Sequence, residues 1–147
     1  MNLRGWGLVA IALSTATACE NHDAVLGVSL EPPAGRVVTY SDDISPIFRT
    51  SCAVSGCHDS FTQESQQDLT RPFDPVVGAV GVPSVQAIGL NRIEPGSSST
   101  SYLVLKLLGT QGLVGGFGDR MPLGSASLSK EQITLIRRWI DDGAKNN

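Results

Sequence analysis

The chain has 147 residues, a formal net charge of −3 and only 5% aromatic residues, against 16 glycines and 8 prolines. That length suits one small domain with a modest core, which a bulky apolar group bound at its centre would complete. The lysines and arginines are scattered with no basic run, which argues against a nucleic-acid partner.

The N-terminus reads as an address. Arg4 supplies a charged start, Leu8 to Leu13 an apolar run, and Ser14 to Ala18 a stretch of small residues ahead of Cys19. This is the pattern of a secretory signal peptide over residues 1–18, with an apolar run too short to span a bilayer. Cys19 in that setting resembles the bacterial lipobox cysteine, which becomes the lipid-modified first residue of the mature chain. Ala16 stands where lipoboxes usually carry leucine, and Ala16-Thr17-Ala18 also fits an ordinary A-x-A cleavage site. The expectation is export to the cell envelope, on the periplasmic side, with membrane attachment through Cys19. The bland alternative is a secreted chain that begins with a free thiol. Residues 19–36, with Pro32-Pro33 and Gly35, show no periodicity and read as a tether ahead of a folded domain over 37–147.

Within that domain the elements are all helical. Ser41 or Asp42 is expected to cap a first helix running through Ile44, Ile47 and Phe48, with Pro46 tolerated in its first turn. A long loop follows from Asp59 to about Pro72. Asp74-Pro75 suggests the cap and first residue of a short helix through Val76, Val77 and Val80. The turn Glu94-Pro95-Gly96 precedes a helix carrying Tyr102, Leu103, Leu105, Lys106, Leu107 and Leu108, stopped by Gly109. Gly112 to Gly118 is too glycine-rich for a regular element. Ser129-Lys130-Glu131-Gln132 is a capping box opening the last helix, whose stripe is Ile133, Ile136 and Ile140 with Trp139 beside it. Phe48 and Trp139 are expected to pack where the first and last helices cross.

The chemistry centres on Cys52-Ala53-Val54-Ser55-Gly56-Cys57-His58. Two thiols that reach the two vinyl groups of one porphyrin, with a histidine beside the second thiol to meet the iron, make a covalent haem site, usually as C-x-x-C-H. Here four residues separate the thiols, so the loop must bulge, and Gly56 gives it backbone freedom. A Cys52–Cys57 disulfide in an oxidising compartment is the alternative. Zinc is a weaker one, because a closed site wants four ligands. Methionine is a common second axial ligand of haem iron in electron carriers. Once Met1 leaves with the signal peptide, Met121 is the one methionine, in the loop Gly118-Asp119-Arg120-Met121-Pro122-Leu123. His22, in the tether, is the only other histidine. Arg92 and Arg120 are either partners for haem propionates or solvated surface residues.

The order of these parts resembles a class I c-type cytochrome. Phe48 lies four residues before Cys52, and a Met-Pro loop precedes a C-terminal helix bearing Trp139. It is more closely similar to the envelope cytochrome domains common in myxobacteria and planctomycetes. The matching phrases are Asp43-Ile44-Ser45-Pro46-Ile47-Phe48, Arg92-Ile93-Glu94-Pro95-Gly96, Ser101-Tyr102-Leu103, Arg120-Met121-Pro122 and Trp139-Ile140-Asp141-Asp142-Gly143-Ala144, spanning about 37 to 145.

The resemblance implies a small all-α cytochrome c-like fold around one covalently bound haem c. Cys52 and Cys57 would be the thioether anchors, with His58 and Met121 the iron ligands. The four-residue gap is the departure from the family pattern, and it bears on whether one thioether forms or two. The implied function is one-electron transfer among redox proteins of the envelope. The alternatives from other classes are a haem-free, disulfide-stapled envelope lipoprotein acting as a binding or structural module, and an open-site haem with peroxidase-like or gas-sensing activity.

Overall fold

Three α-helices carry the regular structure of the described residues: α1 (Ser45–Ser51), α2 (Tyr102–Leu108) and α3 (Lys130–Asp141). The computed structural model describes residues 35–124 and 126–147. The expected signal segment, Cys19, His22 and the tether up to residue 34 lie outside the described residues. Among those described there is no strand, only isolated bridges pairing Val80 with Ile93 and Pro83 with Asn91. That agrees with the all-α class expected from the sequence.

The first helix starts earlier than its sequence suggests. Thr39, rather than Ser41 or Asp42, is the cap, and its hydroxyl accepts the Asp42 N–H. A wide π-helical turn (Tyr40–Ile44) follows and then passes into α1. Pro46, in the first turn of α1, has no N–H to return to the carbonyl four residues back. The Ser45 N–H reaches back to Tyr40 O instead, which is the wide-turn bond. Arg36 pairs with Asp43 through two nitrogens at 2.6 and 3.1 Å, so the chain already follows the domain surface one residue before its expected boundary.

The last helix follows its sequence closely. Ser129 accepts the Gln132 N–H while the Gln132 side chain accepts the Ser129 N–H, closing the capping box. Ile136, Trp139 and Ile140 are fully buried. Trp139 meets Phe48 edge to face at 6.2 Å, and Tyr40 and Phe73 complete the cluster at 5.8 and 6.2 Å from the indole. The indole N–H is satisfied by Lys145 O at 2.9 Å. The C-terminus then returns to the start of the domain, with Asn147 accepting the Tyr40 and Ser41 N–H groups. A small core is thus closed by aromatic packing, and the C-terminal residue is tied to the start of the first helix.

Between these helices the chain is irregular but bonded. Residues 74–80 form turns, not the short helix expected from Asp74-Pro75. The Asp74 carboxylate accepts the Val76 and Val77 N–H groups, and the chain then doubles back so that Ala79 and Val80 donate to Pro72 O. Gly78 is pressed against the backbone of Pro72 and Asp74, where any Cβ would collide. Short 3-10 turns at Glu64–Gln66 and Gln111–Val114 interrupt two stretches expected to be loop. In α2, Gly109 at φ +71 ends the helix as predicted.

Removing the aromatic contact should cost far more than removing a cap. Phe48→Ala should lower stability by about 3–5 kcal/mol, and Ser129→Ala by about 1 kcal/mol. Equilibrium urea unfolding of the two variants checks the ranking; equal losses would contradict an aromatic crossing as the main support.

Candidate functional site

α1 delivers the first thiol. Cys52 sits just past its end, with its N–H bonded to Phe48 O at 2.9 Å, so the packing of Phe48 fixes where the cysteine lies. The four-residue interval then folds into a compact turn: Cys57 donates to Val54 O at 3.0 Å and His58 donates to Cys52 O at 3.2 Å. Gly56 adopts φ +83, a conformation that glycine adopts freely. Asp59 clamps the turn from outside, accepting the Gly56, Phe61 and Thr62 N–H groups. The bonds from Phe61 and Thr62 hold its carboxyl down at about 2.

The extra length is thereby absorbed, and Cys52, Cys57 and His58 all line one cavity of about 230 Å³. Both thiols are free. Burial, and secondarily the neighbouring Cys57, pushes the Cys52 thiol up to about 12.

His58 is oriented by its own loop. Its Nδ1 lies 3.0 Å from Glu64 O. A carbonyl can only accept, so Nδ1 carries the proton and Nε2 keeps its lone pair. Burial lowers the imidazole below its usual range, opposed by the Glu64 and Gln67 backbone, which keeps the ring neutral near pH 7. Neutral imidazole, held in one tautomer by a carbonyl behind it, is the form that ligates a metal. The holding loop has Gln63, Ser65 and Gln66 at positive φ, a conformation with a steric cost for residues that carry a Cβ.

Met121 enters the same cavity from a different element. Its loop hangs on the end of α2, where helix carbonyls lack intrahelical partners. Met121 N–H donates to Lys106 O at 3.0 Å, and the Arg120 side chain donates to Leu107 O at 2.9 Å. The Met121–Pro122 peptide is cis. The remaining wall is largely apolar, with Leu69, Leu103, Leu107 and Val85 prominent.

The four residues singled out by sequence for the site, Cys52, Cys57, His58 and Met121, are therefore brought together. Of the two arginines, Arg92 is buried on the cavity wall, while Arg120 is exposed and braces α2 instead. Sequence reasoning did not place Lys106 or Gln86 at the site, and both line the cavity. For Lys106 a signal existed: it lies three residues after Leu103 within the otherwise apolar run Tyr102–Leu108, on the face that α2 turns to the cavity. Among the described residues, no three His, Cys, Asp or Glu side chains converge as a metal-ion site.

No family of known proteins, no curated protein and no solved structure matches the chain. The functional reading therefore stands on the sequence motifs and the geometry of this cavity.

The depressed basicity of His58 has a measurable consequence. Above its ordinary value of 6.5 the ring is neutral in both folded and unfolded chains. Below that value the unfolded chain takes up a proton that the folded one resists, so stability falls as pH falls. In haem-free protein, urea midpoints at about pH 7.5 and about pH 5.5 should differ, and His58→Gln should reduce the difference. An undiminished difference would assign the effect to other groups.

Proposed function

We propose that this chain is a single-haem c-type cytochrome that carries electrons one at a time in the bacterial cell envelope. The observation that carries the reading is the convergence of Cys52, Cys57, His58 and Met121 on one largely apolar cavity from separate parts of the chain. The chemistry of these residues also suits haem c. Two free thiols supply the thioether anchors, a neutral imidazole offers Nε2, and a thioether sulfur is available as second ligand.

A bound haem c would supply an iron that changes oxidation state by one electron. The chain's own contribution is ligation, burial and orientation. His58, fixed by Glu64 O, would offer its Nε2 to the iron at one axial position. Met121, fixed through its N–H to α2, would hold the other. A second thioether ligand raises the reduction potential relative to a second histidine. With both positions filled there is no open site for substrate, so the assignment is electron carrier and not enzyme.

The address at the N-terminus supports an envelope location, with Cys19 as the lipidated anchor and residues 19–36 as the tether. No helix among the described residues is long and apolar enough to cross a membrane. The partners would be other redox proteins of the envelope.

Protein matured with a c-type system should give a six-coordinate, low-spin haem spectrum and a single one-electron redox wave. Met121→Ala should keep the haem attached, lower the potential and admit carbon monoxide. An unchanged potential would remove Met121 from the ligand set. A high-spin, carbon monoxide-binding haem already in the unaltered protein would favour the open-site alternative. Absence of any Soret band in folded, exported protein would favour the haem-free lipoprotein. Separately, Cys19→Ala should move the protein from the membrane fraction to the soluble one; continued sedimentation with membranes would mean another anchor.

A further inference from the structure

Two cations are buried on the cavity wall, and no described residue forms an ion pair with either. Arg92 is 4% exposed and Lys106 5% exposed, and both line the cavity. Arg92 gives one Nη1 bond to Gly78 O at 2.6 Å, leaving the rest of its fork without a partner among the described residues. Lys106 Nζ gives one bond to Phe117 O at 3.3 Å and sits 5.9 Å from the Tyr102 ring centroid. Neither contact carries a full negative charge. None of the three ion pairs among the described residues includes either side chain. Asp119 acts on Lys106 from beyond ion-pair range, and the exposed Glu64 on the wall turns Oε1 to the Ser65 N–H. Buried charges are ordinarily paired, because desolvation is too costly otherwise.

The two cations belong to one wall. Leu103 N–H donates to Arg92 O at 2.8 Å, and Lys106 follows Leu103 by one turn of α2. Gln86 sits beside the lysine. A Cβ on Gly118 would lie 2.7 Å from Lys106 Nζ and 3.0 Å from Gln86 Nε2, so glycine keeps that space open. The donors gathered here suit an acidic group: a guanidinium fork recognises carboxylate planes, and an ammonium adds a point charge.

We propose that Arg92 and Lys106 form a carboxylate subsite of this cavity, each cation facing one carboxylate of a dianionic ligand. The proposal deepens the haem reading, since the carboxylates would be the two propionates of a bound haem. The same chemistry also fits a small free dicarboxylate, and the two sources separate experimentally.

The test uses the mature full chain with Lys106→Gln and Arg92→Gln, and Arg92→Lys as a charge-preserving control. In haem-loaded protein, resonance Raman spectra should show the propionate bending mode shifted in both glutamine variants. Their reduction potentials should fall, since a cation that disfavours the ferric state is gone, and Arg92→Lys should restore the potential in part. Succinate added to the loaded unaltered protein should then leave its NMR spectrum unchanged. A propionate mode indifferent to both variants, together with variant-sensitive succinate binding, would identify the free dicarboxylate as the occupant. If no haem attaches, the haem reading fails, and folded haem-free protein is titrated with succinate instead. Binding at least tenfold weaker in the glutamine variants upholds the subsite. An unshifted propionate mode with no variant-sensitive succinate binding, or no such binding in haem-free protein where haem does not attach, overturns it.

Discussion

The contact between Phe48 and Trp139 is the interaction on which the rest of the structure depends. It packs the first helix against the last, and the first thiol of the site is positioned relative to that contact. Cys52 is bonded through its N–H to Phe48 O, so the aromatic ring and the first thiol move together. Local forces are too small to replace this. α1 has seven residues, well short of what an isolated helix needs to persist in water. Burial of one large aromatic side chain is worth about 1.5–3 kcal/mol, more than a cap or a surface ion pair supplies. Tyr40 and Phe73 enlarge the cluster, and Asn147 is tied to the turn that carries Tyr40.

The second dependence runs through the end of α2. A helix leaves its last carbonyls without intrahelical partners, and here those carbonyls hold the Met121 loop. Lys106 and Leu107 accept from Met121 N–H and the Arg120 side chain. Satisfying a helix end and fixing a candidate ligand are therefore one arrangement. The same economy holds at His58, where Glu64 O both closes a strained turn and selects the imidazole tautomer. Under the proposed haem reading, ligands held this way would need little rearrangement between oxidation states.

The sequence made some of this legible and hid the rest for physical reasons. α3 was readable because its isoleucine stripe and its capping box act within a few residues of one another. The four expected site residues were readable because their chemistry is rare in this chain. Residues 74–80 misled because Asp74 can cap a helix or close a turn with the same two bonds, and the choice fell to the close approach of Gly78 to the Pro72 and Asp74 backbone. The cap of the first helix moved to Thr39 because Pro46 forces a wide turn whose register cannot be read from spacing. Arg92 could have been a solvated surface residue or a buried one, and only its packing in the fold shows that it is buried. Lys106 was hidden by its charge: a lysine in an apolar run reads as a solvated side chain until the helix face is known.

The most direct test of the central claim is whether haem stays on the chain after unfolding. Protein expressed with a c-type maturation system should stain for haem on a denaturing gel, and its pyridine haemochrome band should report whether Cys52 and Cys57 both form thioethers. Because the turn from Cys52 to His58 closes compactly around the extra residues, attachment through both is the predicted result. Folded, exported protein that carries no covalent haem would contradict the cytochrome assignment.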